Sequence, residues 1–65
     1  MRSVYEQRII DEFLLLYNYH LNPVEAYSTL DYMIFTQHKE EFYKLPEATQ
    51  WEIRNIMSAI KLLFA

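Results

Sequence analysis

Two histidines and two pairs of neighbouring carboxylates are the residues best equipped for chemistry in this chain, and their spacing supports little of it. His20 and His38 stand far apart in sequence, and there is no cysteine, so the chain lacks a Cys-type zinc set, a thiol nucleophile and a redox pair. Asp11-Glu12 and Glu40-Glu41 are consecutive pairs, and consecutive helical positions point about 100° apart, so neither pair converges on one proton or one ion. The absence of glycine removes phosphate loops, nucleophile elbows and calcium loops together. The expectation is a chain with no catalytic, cofactor-binding or metal-binding residues, and so not an enzyme. His20 reads as a cap at the carboxyl end of a helix, where an imidazolium is favoured by the dipole, and His38 as a solvated turn residue.

Nucleic acid is a poor match as a partner. The six cations, Arg2, Arg8, Lys39, Lys44, Arg54 and Lys61, are scattered, and none falls between Ile9 and His38, where Asp11, Glu12, Glu25 and Asp31 lie. Phosphate binding needs several cations on one face, and only Arg54 and Lys61 share one. A DNA-binding module using the last helix would therefore need a dimer. The acidic stretch also admits an acidic decoy of a nucleic-acid-binding protein, although a solvated face explains those carboxylates equally well.

Aromatic content is the feature that stands out, at 17% of the chain. Tyrosine and tryptophan concentrate at protein interfaces because they bury a large apolar area and keep one polar handle. Several large apolar residues fall on helix faces that periodicity assigns to solvent. These are Leu15 and Tyr19, four apart on the first helix, Tyr32 and Phe35 on the second, and Trp51 and Leu62 on the last. For Trp51 a core position under the turn from Phe42 to Leu45 is an equal alternative, and Phe35 is also divided between core and interface. Asp11, Glu12 and Asp31 would form an acidic rim around this patch.

The elements that carry these faces are helical. Without glycine the common two-residue hairpin turns lose their preferred residue, so sheets are disfavoured. Ser3 and Glu6 form a capping-box pattern at the start of the first helix, about 4–20. Asn22, Pro23 and Glu25 supply a cap, a proline at the first helical position and a first-turn carboxylate for the second, about 23–36. Pro46 and Glu47 open the third, about 46–64, and the charged run between allows a short extra helix near 39–44 that seats Phe42, Tyr43 and Leu45. The core stripes by periodicity are Tyr5, Ile9, Ile10, Phe13, Leu14, Leu16, Tyr17 and Leu21; then Ala26, Tyr27, Leu30, Met33 and Ile34; then Ile53, Ile56, Met57, Ile60, Leu63 and Phe64.

With 52% hydrophobic residues in 65, the chain is expected to be one ordered helical domain, an all-α compact bundle of three main helices. A chain this short is marginal as a monomer without disulfides or metal, which makes a partner subunit the remaining support. No apolar run reaches the roughly 18 residues of a membrane span. Acidic residues interrupt the amino-terminal apolar run and no small-residue cleavage site follows it, so a cytoplasmic location is expected. The functional expectation is a small protein-binding regulator or adaptor. Its partner is another protein, itself as a homodimer, or both, and it acts sterically, possible targets including a larger protein it inhibits. A purely structural homo-oligomer is the third alternative.

Overall fold

The computed structural model describes residues 3–64; Arg2, and the first residues on which the leader argument rests, lie outside them. The chain is all-α: α1 spans Val4–His20, α2 Pro23–Tyr32, α3 Lys39–Tyr43 and α4 Glu47–Leu62, with a π-helical turn at Met33–Gln37. Ser3 Oγ accepts the Glu6 N–H at 3.1 Å, as the capping pattern requires. Asn22 Oδ1 accepts the N–H groups of Val24 at 2.9 Å and Glu25 at 3.2 Å, so the cap, the proline and the first-turn acid all fall where the sequence puts them.

The corner between α1 and α2 is closed by Leu21 in the left-handed conformation (φ 56°, ψ 28°), its N–H donating to Tyr17 O at 2.7 Å. That is ordinarily glycine's position, and a leucine held there carries a steric penalty of about 1–2 kcal/mol. Its side chain is exposed rather than in the core stripe, so little packing is lost with it. Leu21→Gly should therefore raise stability by about 0.5–1 kcal/mol, seen as a melting temperature higher by a few degrees. An unchanged or lower melting temperature would show that the strain is already relieved elsewhere.

The second helix is shorter than its periodicity predicts. After Tyr32 the ladder widens to a π turn, closed by His38 N–H donating to Met33 O at 3.0 Å. Met33, Ile34 and Phe35 are consecutive apolar residues that no α-helical stripe can bury together, and the wider turn leaves all three half-buried. The short extra helix is present as α3, with Phe42 buried and Leu45 half-buried, whereas Tyr43 is exposed. Pro46 (ψ 146°) caps α4 from outside instead of forming its first residue. Gln50 then ties the joint: its Nε2 donates to Leu45 O at 2.9 Å and Tyr43 O at 3.3 Å. Gln50→Ala removes both bonds and should destabilise by about 1 kcal/mol in a denaturant titration.

The core is Ile9, Phe13, Ala26, Leu30, Phe42, Ile53, Met57 and Ile60. Phe64, just past α4, stacks against Phe13 (ring centroids 6.4 Å apart) and meets Tyr27 edge-on at 5.7 Å. Ile53, near the start of α4, lines the same cavity as Tyr5 and Ile9, so α4 runs in the same sense as α1. Three residues of the expected core stripes are exposed in addition to Leu21: Leu14, Tyr17 and Leu63; Ile10 is half-buried. Among the described residues α2 and α4 give α1 most of its cover, and two main neighbours shield a narrower arc than the apolar stripe provides.

Candidate protein interface

α1 and α4 leave a groove of about 670 Å³ between them. Its α1 wall is Glu6, Ile10, Phe13 and Leu14, and its α4 wall runs from Ala48 and Trp51 through Glu52 and Ile56 to Ala59 and Leu63. Leu14 is 51% exposed, Trp51 55% and Leu63 80%, which places three large apolar side chains in water along one channel. Ala48 and Ala59 have no bulk beyond Cβ and keep the α4 wall low. Arg54 backs Trp51 from the far side, its guanidinium 5.5 Å from the indole and 5.2 Å from the Phe42 ring, which orients the indole by cation–π attraction.

The residues expected to form one patch are distributed over several faces. Trp51 lines the groove, and Leu62, 76% exposed, continues the Trp51–Asn55 line just outside it. Leu15 and Tyr19, 64% and 83% exposed, lie on the other flank of α1, in line with Arg8 and Glu12 at spacings of four, three and four. Phe35 packs edge-on against Phe42 at 5.0 Å and joins the border of the core. Tyr32 is exposed on α2. Of the acidic rim, Asp11 is exposed and accepts from Gln7 Nε2 at 2.8 Å, Glu12 faces a different cavity, and Asp31 is half-buried near Tyr27 on α2. Gln50, rather than Trp51, fills the turn from Phe42 to Leu45.

Sequence reasoning missed Ile10, Leu14, Ala59 and Leu63 as groove residues. A signal for them exists on α4, where Ala48, Glu52, Asn55, Ala59 and Leu63 recur at spacings of four, three, four and four. A stripe that mixes alanines with a carboxylate and an amide is not a core stripe, yet it borders one.

The second cavity, about 470 Å³, lies between α1, the π turn and α3. Its floor is apolar, and Arg8, Glu12, His38 and Glu41 stand around it. His38 Nδ1 is 3.1 Å from Glu41 Oε2, on the exposed side. The lining has no serine, threonine or cysteine, so the histidine has no hydroxyl or thiol nucleophile to activate beyond the phenol of Tyr5. His20 stands in the last turn of α1, as expected, and its ring reaches α2: Nδ1 is 3.5 Å from Glu25 Oε2 and Nε2 is 3.4 Å from Thr29 Oγ1, which ties the end of α1 to α2. Among the described residues no three acidic, histidine or cysteine side chains cluster as a metal site, and no helix is long and apolar enough to cross a membrane.

Burial raises the Tyr27 phenol above its ordinary pKa of 10.0, and the Asp31 carboxylate pushes it the same way. The folded value exceeds the unfolded one, so this contribution to stability is complete below the unfolded pKa and is lost as pH rises through the folded pKa. Thermal melts across the alkaline range should show stability falling above about pH 10, and Tyr27→Phe should flatten that fall. An identical fall in the variant would assign it to other groups.

Compared with protein-family models, curated proteins and solved structures, the chain matches none, so the groove and its neighbouring surfaces carry the functional reading by themselves.

Proposed function

We propose that this chain is a small non-enzymatic regulator or adaptor that works in the cytoplasm by docking another protein, with the α1/α4 groove at the centre of the contact. The observation that supports this reading is the exposure of Leu14, Trp51 and Leu63 along one channel floored by Ile10 and Ile56. Scattered apolar residues are normal on a protein surface, but a continuous channel of them, with an indole at its edge, is what a docking partner buries. Docking acts sterically: a bound target has part of its own surface covered. Leu62 extends the contact beyond the groove, and Leu15 with Tyr19 offers a second face on the far flank of α1.

Tagged chain recovered from the lysate of its own organism after nuclease treatment, sized by light scattering, tests the reading. A stoichiometric second protein that survives nuclease supports it. Recovery of the chain only as a multimer of itself would replace it with a structural homo-oligomer. Nuclease-sensitive, salt-sensitive retention lost on replacing Arg54 and Lys61 would replace it with DNA binding.

A further inference from the structure

We infer that the cavity between α1, the π turn and α3 binds a small apolar zwitterion, of the class of the large apolar α-amino acids. This site is separate from the docking groove and shares no lining residue with it. α1 packs on α2 and α4, whereas α3 packs on the π turn, and the cavity is the gap left between those packings. Its volume of about 470 Å³ falls within the roughly 300–1,000 Å³ of small-molecule sites. The floor is Ile9, Leu30, Phe42 and Ile53, all buried residues of the core, so an apolar ligand body set there extends the core itself. Met33 and Ile34 of the π turn form one wall, and single π turns recur at functional sites.

The α1 wall carries the polar groups that select the ligand. Arg8 and Glu12 stand one turn apart, roughly 5–6 Å between Cβ atoms, with the cation on the amino-terminal side, the weaker order for a helical pair. Neither side chain has an ion-pair or hydrogen-bond partner among the described residues, although Glu12 is half-buried. On the α3 side His38 and Glu41 are already paired with each other at 3.1 Å. A ligand with a carboxylate alone would bring a negative charge beside Glu12, and one with an ammonium alone a positive charge beside Arg8. A zwitterion meets both: its carboxylate takes the Arg8 fork and its ammonium donates to Glu12. An α-amino acid holds the two charges on one carbon at the end of its side chain, so the charged end sits at the rim while the side chain covers the floor.

The test is an amide NMR titration of the 65-residue chain with three probes that share one phenylalkyl body: L-phenylalanine, 3-phenylpropionate and 2-phenylethylamine. L-Phenylalanine is expected to move resonances of Ile9, Glu12, Met33 and Ile34 with a Kd of about a millimolar, and each single-charge analogue to bind about tenfold more weakly. Arg8→Gln should weaken L-phenylalanine about tenfold and leave 2-phenylethylamine no weaker, and Glu12→Gln should do the same with 3-phenylpropionate as the spared probe. The amide spectrum of each variant without ligand checks that the fold is kept. Either single-charge analogue binding as tightly as L-phenylalanine overturns the zwitterion. Shifts confined to Leu14, Trp51 and Leu63 move the ligand to the groove and overturn the site. No shift with L-phenylalanine at about ten times the expected Kd also overturns it, and leaves protein docking at the groove untouched.

Discussion

Phe42→Ala is expected to abolish cooperative folding. Phe42 is 4% exposed and is the one buried residue of α3, a five-residue helix too short to persist unaided. Its ring meets Phe35 at 5.0 Å, Tyr43 at 5.3 Å and the Arg54 guanidinium at 5.2 Å. Removing it leaves a void bordered by the π turn and α4, with a loss of about 3–5 kcal/mol, and a domain of this length rarely holds more than that in total. Thermal circular dichroism should show a broad, low transition in place of a cooperative one. Phe42→Leu, which keeps most of the volume, should retain the transition at lower temperature. A Phe42→Ala protein that melts cooperatively within a few degrees of the parent would show that α3 is peripheral to the fold.

The second large effect is on binding. Leu14→Asp combined with Leu63→Asp places two charges in the groove at positions that the free protein already exposes to water. The fold should tolerate them, with helical content kept and melting shifted by about 1 kcal/mol or less in stability. Partner affinity should fall by about a hundredfold or more, since each charge must be desolvated beneath the docked surface. Leu15→Ala combined with Tyr19→Ala is the matched control on the other flank of α1. If that pair abolishes binding and the aspartate pair does not, the docking face is the Leu15–Tyr19 stripe and the groove is an unfilled seam of the bundle. Loss of the fold in either pair would reassign its residues from surface to core.

Much of the architecture is legible in the sequence because helix ends have local causes. The side chains of Ser3 and Asn22 accept free backbone N–H groups within three residues, and Pro23 has no N–H to satisfy, so their role needs no knowledge of the tertiary structure. The π turn has no such local cause. Met33, Ile34 and Phe35 continue the apolar pattern of α2, and only the demand that all three reach different neighbours widens the ladder. The corner at Leu21 is equally silent, since a helix stop of that geometry is ordinarily announced by a glycine and the chain has none.

The candidate site is legible in part. Periodicity separates Trp51 and Leu62 from the α4 core stripe of Ile53, Met57 and Ile60 but leaves Trp51 divided between core and surface; both are exposed. It ranks Leu14 and Leu63 as core because a helical wheel orders directions but contains no width: whether a flank is covered depends on how many helices stand beside it. Here two do, and the uncovered flank is the groove. The same limit explains why Leu15, Tyr19, Tyr32 and Trp51 look like one patch in sequence and occupy separate faces in three dimensions.

Trp51 is the single tryptophan of the chain and stands on the edge of the groove, so it reports directly on docking. The most direct measurement is fluorine NMR of the 65-residue chain carrying 5-fluorotryptophan, alone and in any stoichiometric complex recovered with a second protein. One resonance is expected. In the free chain it should show the solvent sensitivity of a half-exposed indole, and in the complex it should shift and lose that sensitivity as the partner covers the groove. A Trp51 resonance that is unmoved and equally solvent-sensitive in a stoichiometric complex would contradict docking at the α1/α4 groove.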